Sequence, residues 1–146
     1  MTRQEHPVVE LSSTDAKLLE SRLVLFNDAA VPFTQREPFL RVQYGIRDPN
    51  GTLIAGVAST HYCWNMVYID VLWVEEGHRR QGLGTKLIRF LEGKAKEAGS
   101  TLIHLDTFDF QGKAFYERLG YRVFGVLDEC PPGHQRYFLK KSLNAA

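Results

Sequence analysis

Val74-Glu75-Glu76-Gly77-His78-Arg79-Arg80-Gln81-Gly82-Leu83-Gly84-Thr85 is the segment on which the reading of this chain turns. The run before it, Met66 to Val74, is almost continuously apolar and reads as a strand buried on both faces, with Asp70 as the single interruption. After it, Leu83, Leu87, Leu91, Ala95 and Ala98 recur at helical spacing up to Gly99, which marks an amphipathic helix and its stop. The segment is therefore a strand-to-helix turn. Gly82 and Gly84 permit close approach and positive φ values. Successive backbone N–H groups at a helix N-terminus, with its partial positive charge, make an anion site. Arg79 and Arg80 add two fixed cations, and a pyrophosphate is the natural occupant.

Three explanations compete for this turn. A P-loop needs Gly-Lys-Ser/Thr, and Leu83 follows Gly82, so that one fails. A dinucleotide fingerprint needs a third glycine where Leu87 stands. Asp106 lies where a ribose-binding acid could sit, but there is one strand–helix–strand unit where two halves are usual. The third is a surface turn with solvated arginines, and a bare Gly-x-Gly does not exclude it.

On the N-terminal side, Val8 to Leu11 reads as a short strand, and Ser13-Thr14-Asp15 offers N-cap chemistry for a helix carrying Leu18, Leu19, Leu23 and Phe26. Leu40, Val42, Tyr44 and Ile46 alternate with Arg41, Gln43, Gly45 and Arg47, the period of a half-buried strand. Asp48-Pro49-Asn50-Gly51 is a turn, and Thr52 to His61 returns from it. Past the central helix, Thr101 to Leu105 is a strand and Gln111 to Leu119 a short helix ending at Gly120. Tyr121 to Leu127 and Arg136 to Lys140 are the last strands. With no repeat or linker, the expectation is a single α/β (α+β) domain over 1–146, its strands mixed in direction.

Composition removes several function classes. The chain has 146 residues, 44% hydrophobic and 24% charged, the balance of a globular protein that needs no disulfide or metal to fold. Eighteen Lys and Arg against 17 Asp and Glu give +1, no electrostatic reason to expect nucleic acid or a membrane surface. Cys63 and Cys130 make neither a disulfide framework nor a four-ligand zinc site. No stretch reaches the ~20 apolar residues of a membrane span, and residues 1–7 lack the apolar core of a secretory signal. A cytoplasmic compartment is the default expectation.

Arg79-x-x-Gly82-x-Gly84, preceded by Leu72-Trp73-Val74 and followed by an amphipathic helix, resembles motif A of the GNAT superfamily of N-acetyltransferases. There the pattern Gln/Arg-x-x-Gly-x-Gly/Ala binds the pyrophosphate of acetyl-CoA. Phe115-Tyr116-Glu117-Arg118-Leu119-Gly120-Tyr121 resembles the family's motif B at the expected separation. The resemblance covers roughly residues 40 to 140. It implies a central mixed, mostly antiparallel β-sheet flanked by helices, with acetyl-CoA or coenzyme A as co-substrate. It places that co-substrate against Leu72, Trp73, Val74, Arg79, Arg80, Gln81, Gly82, Leu83, Gly84 and Thr85. It also implies that the central strand splays from its neighbour, so that unpaired backbone groups, Val74 N–H first, grip pantetheine and acetyl carbonyl. Two positions depart from the pattern. Asp109 stands where Asn is usual, which puts a carboxylate near the pantetheine or substrate amine, and Gly112 stands where Ala is usual.

Acetyl transfer from a thioester to an amine sets three demands. A Lys-like amine with pKa about 10.4 is deprotonated to about 1 part in 2,500 at pH 7, a handicap of roughly 4.6 kcal/mol that calls for a base or a desolvating pocket. The oxyanion needs donors aimed at it. The leaving thiolate benefits from a proton, and Tyr116, at the position of the family's catalytic tyrosine, is the expected acid. Asp70 is the base candidate, because a carboxylate in an apolar strand is costly unless used or paired, and desolvation raises its pKa. Strand parity sets Tyr68, Asp70 and Leu72 on one face. A structural tyrosine and a paired aspartate are the plain alternatives.

The remaining features are weaker. His104 and Asp106 alternate like metal ligands but lack a third, so no metal is expected. The cysteines lack a basic neighbour that would make a nucleophile. The residues Asp128 to His134 link the last strands and in this fold often border the acceptor site. The expected acceptor is a small-molecule amine. A protein N-terminal or lysine acetyltransferase, or a non-enzymatic acyl-CoA-binding protein, is the alternative. Dimers are common in such a family, and no residue here specifies a homodimer interface.

Overall fold

The computed structural model describes residue 2 and residues 5–143, so part of the N-terminal stretch read above for a signal, residues 1, 3 and 4, lies outside the described residues. The chain divides into two compact units, 1–33 and 34–146. The first holds one helix, α1 (Ser13–Ala30), whose start is fixed by the Ser12 hydroxyl accepting from the Asp15 N–H at 3.1 Å. Val8 to Leu11 does not form the expected strand. Four residues with a β-branched pair are too short a signal when no neighbouring strand takes their backbone groups.

The second unit is a six-stranded sheet of order β1-β2-β3-β4-β6-β5. Its strands are β1 (Phe39–Arg47), β2 (Leu53–Tyr62), β3 (Met66–Val74), β4 (Leu102–Phe108), β5 (Arg122–Asp128) and β6 (Gln135–Ser142). All neighbours are antiparallel except β3 and β4, which run parallel because α2 (Leu83–Glu97) crosses over between them. A short helix, α3 (Lys113–Arg118), joins β4 to β5. Leu87, Ile88, Leu91 and Ala95 of α2 and Tyr116 of α3 share one core with Val57, Val67, Ile69, Ile103, Leu105 and Leu139 of the sheet. Leu87, which ruled against the dinucleotide fingerprint, is one of these core side chains.

Two irregularities interrupt β3. It pairs with β4 over only three positions, Val67 with Ile103 to Ile69 with Leu105. Against β2, the register skips Asp70: Ile69 faces Ser59 and Val71 faces Ala58. This bulge reverses the parity of the strand. Val67 and Ile69 point into the core before it, and Leu72 and Val74 pack against that core after it. The even-numbered face expected from the sequence is therefore split, with Leu72 on the opposite side from Tyr68.

Candidate active site

Beyond Ile69 and Leu105 the two parallel strands part, and a cleft of about 860 Å³ opens between them, within the range of small-molecule sites. The burial of β3 corrects one expectation. It is not buried on both faces: Met66 and Tyr68 are half-buried, and Asp70, Val71 and Trp73, past the bulge, are exposed. The parting frees backbone groups. Glu75 N–H donates to the Ile54 carbonyl at 2.8 Å, so by the alternation of an antiparallel ladder Val71 and Trp73 bond to β2 while the N–H and C=O of Leu72 and Val74 face the cleft. The Val74 carbonyl there accepts from Arg79 Nε at 2.9 Å.

At one end of the cleft the turn after β3 meets the N-terminus of α2. Gly82 is its N-cap at φ +77°, a conformation open to glycine, and no side chain caps the helix or places an acid in its first turn. The first-turn amides of Leu83, Gly84 and Thr85 are left without intrahelical partners, facing a cavity they line. Gly84 serves differently: a Cβ there would stand 3.2 Å from Phe115 Cζ, so its role is close packing against α3. Arg79 and Arg80 both line the cleft. Arg79 is turned back, its guanidinium 4.7 Å from the Trp73 ring centroid, and Trp73 Nε1 donates to Glu75 Oε1 at 3.1 Å. Of the turn residues expected to hold a cofactor, Gln81 does not line the cleft.

Across the cleft, α3 presents Tyr116. Its ring is buried, at 6% exposure, yet it lines the cavity, and its hydroxyl has no hydrogen bond among the described residues. Burial pushes its pKa up to about 12, so the phenol stays protonated at neutral pH. Thr107, Gln111 and Gly112 form the adjoining wall. Gln111 Oε1 accepts from the Phe108 N–H at 2.8 Å, and Thr107 Oγ1 accepts from the Gly112 N–H at 3.2 Å. Apart from Gly112, noted above as a departure from the family pattern, these residues, with His78 and Arg118, were not singled out as site residues, because cleft lining by single polar residues has no spacing signature.

Asp70 and Asp106 mark the apex, each the first residue of its strand past the β3–β4 pairing, and both line the cleft. Asp70 is not the desolvated carboxylate expected from its apolar neighbours. The bulge exposes it, and its Oδ2 accepts from Arg41 Nη1 at 2.7 Å and Thr60 Oγ1 at 2.9 Å. Asp106 Oδ1 accepts from Arg136 Nε at 2.9 Å and Nη2 at 2.6 Å, while Oδ2 accepts from the Tyr68 hydroxyl. Burial first, and this bond second, push Tyr68 up to about 12. His104 is taken by Tyr62, whose hydroxyl is 2.6 Å from Nε2. Among the described residues no group of three or more His, Cys, Asp or Glu could hold a metal ion.

Asp109 does not face the cofactor side. Its carboxylate accepts from the Gln135 N–H at 2.9 Å and meets His134 Nδ1 at 2.9 Å, tying the end of β4 to the start of β6. The backbone bond from Gln135 is the main reason its pKa is lowered. Asp128 and Glu129 are likewise engaged, with Gln135 Nε2 at 2.7 Å and the Gly133 N–H at 3.3 Å, and neither lines the cleft, nor does Cys63 or Cys130.

A family model described as the acetyltransferase (GNAT) family matches residues 13–121. A blasticidin-S acetyltransferase of Streptomyces morookaense is 38% identical over 91 residues, 62% of this chain and 67% of the relative. The crystal structure of an acetyltransferase from Bacillus cereus superposes with a TM-score of 0.87 at 31% identity, covering 94% of this chain and 97% of that one. An aminoglycoside 6'-N-acetyltransferase complexed with coenzyme A shares the fold at a TM-score of 0.66 and 18% identity, covering 96% of this chain and 99% of that one.

Proposed function

The chain belongs to the acetyltransferase (GNAT) family, and we propose that it transfers the acetyl group of acetyl-CoA to the primary amine of a small molecule, in a ternary complex. The observation that carries this reading is the parted β3–β4 pair, whose cleft joins an uncapped helix N-terminus at one end to the hydroxyl of a buried α3 tyrosine that has no hydrogen bond among the described residues. The relatives named for blasticidin-S and aminoglycoside acetylation support a small-molecule acceptor.

Each residue then has a physical task. The amides of Leu83, Gly84 and Thr85, with Arg79 and Arg80, hold the pyrophosphate, where the helix dipole and two cations favour dianionic charge. The cleft-facing amides of Leu72 and Val74 hold pantetheine, and the Val74 N–H serves as the donor to the acetyl carbonyl. Trp73 walls the cleft. Tyr116 donates a hydrogen bond to the leaving sulfur. Complete proton transfer from a phenol at about 12 to an alkyl thiolate, near 8.5 for cysteine, is uphill by about 3.5 units or 5 kcal/mol, so stabilisation of the thiolate is the larger part of its role. Asp70, through the oxygen not held by Arg41 and Thr60, accepts a hydrogen bond from the acceptor amine and orients it, the amine reacting as the neutral fraction that has lost its proton to water.

The test is a thermal unfolding series with acetyl-CoA, CoA, NAD and ATP. A ligand at about 100 times its dissociation constant adds roughly 2.7 kcal/mol, a shift of several degrees. A shift with the CoA pair alone is the expected result. A shift with NAD or ATP and none with CoA refutes the proposal.

A further inference from the structure

Resting on the acetyl-transfer reading, the charge pattern at the apex of the cleft points to the acceptor class. We propose that the acceptor is a small zwitterion, with an anionic group close to its amine as in an α- or β-amino acid, and not a polyamine. Asp70 Oδ1 takes no hydrogen bond among the described residues, and Asp106 Oδ2 takes one, from Tyr68. A carboxylate offers about four lone-pair sites, so both retain room for an ammonium N–H. That accounts for the amine.

The anionic group is called for by the cations beside them. Each carboxylate is matched by an arginine, Arg41 at 2.7 Å and Arg136 at 2.6 Å, so the two pairs carry no net charge. The field of such close pairs is dipolar and fades within a few ångströms, giving a second or third ammonium nothing to bind. The guanidiniums keep donors to spare. Arg41 uses only Nη1 and its side chain is 51% exposed; Arg136 uses Nε and Nη2, which leaves Nη1, and it lies against Phe108 and Phe138.

Other charged groups on this face do not restore acidity. Burial keeps His104 neutral by lowering its pKa, Lys140 adds a cation over Phe124, and Glu75 is engaged by Trp73. Alternating acceptors and donors within one ion-pair length match a molecule bearing both signs.

The experiment measures CoA thiol release at saturating acetyl-CoA with the common α-amino acids and β-alanine, each as free acid and as methyl ester, and with putrescine and spermidine. At least one acid is expected to exceed its own ester and both polyamines by tenfold or more in kcat/KM. Arg41→Gln is expected to shrink that acid-to-ester ratio by about tenfold. Esters or polyamines used as well as the acids, no acid used at all, or an unchanged ratio in Arg41→Gln each overturn the inference. If acetyl-CoA and CoA fail to raise the unfolding midpoint, the acetyl-transfer reading falls and this inference falls with it.

Discussion

Tyr116→Phe removes one oxygen, and the structure sets the size of what is lost. The hydroxyl opens on the cleft and has no hydrogen-bond partner among the described residues, so its removal takes away no hydrogen bond from the folded chain and leaves no buried polar group unmatched. Stability of the ligand-free protein should therefore stay within about 0.5 kcal/mol of the parent. Catalysis should not. A hydrogen bond to a developing thiolate is worth about 1.5–3 kcal/mol, which converts at 1.36 kcal/mol per decade to a loss of roughly ten- to 150-fold in kcat. Affinity for CoA as measured by thermal shift should change little, since the proposed phosphate cradle lies at the start of α2 and Tyr116 on α3. Turnover by thiol release against any accepted amine, with a urea curve on the same preparation, separates the two effects. A kcat within twofold of the parent would falsify the thiolate role. A stability loss above 1.5 kcal/mol would mean that the hydroxyl has a structural partner.

Particular contacts set three further outcomes. Gly82→Ala meets no atom within 4 Å, so its cost is the positive φ alone, about 1–2 kcal/mol, with a five- to tenfold loss in CoA affinity as the N-cap shifts, whereas Gly84→Val collides with Phe115 and costs about 1–3 kcal/mol through overpacking; urea curves and CoA titrations of the pair check this, and equal effects with φ unstrained refute it. Lys141→Met should cost about 3–5 kcal/mol, because the buried Glu92 carboxylate loses the Nζ at 2.6 Å and keeps, among the described residues, the half-exposed Arg89 at 2.9 Å, and adding Glu92→Met should recover most of it; a single-variant loss below 1 kcal/mol refutes the buried pair. Burial lowers the pKa values of His61 and His104 below 6.5, so between the folded values and 6.5 the unfolded chain binds more protons, and stability rises with pH and is lost as pH falls. His61→Leu should reduce the difference between urea midpoints at pH 7 and pH 5, since His61 Nε2 is buried with no hydrogen-bond partner among the described residues; an unchanged difference refutes that assignment.

Features that repeat locally or sit in a short signature were legible in the residues alone. The 3.6 period of Leu83 to Ala95, the alternation of Leu40 to Ile46 and the Asp-Pro-Asn-Gly turn each specify an element, since the residues that decide them are neighbours in the chain. The Gly82-x-Gly84 turn at the start of α2 was legible for the same reason, and Tyr116 on α3 was singled out through the motif that its neighbours in the chain make up. Relations between strands were not, and they were settled by folding. An apolar run cannot say whether its neighbour will pair with it throughout, and β3 does so for three residues and then parts from β4. Parity counting assumes an unbroken pleat, and the bulge at Asp70 breaks it, which moves Leu72 to the core side and exposes the aspartate. The partners of Asp70 and Asp106 are Arg41, Thr60, Tyr68 and Arg136, between 10 and 38 residues away in the chain. Ion pairing acts over a few ångströms of space, and only the folded sheet brings those charges within that range.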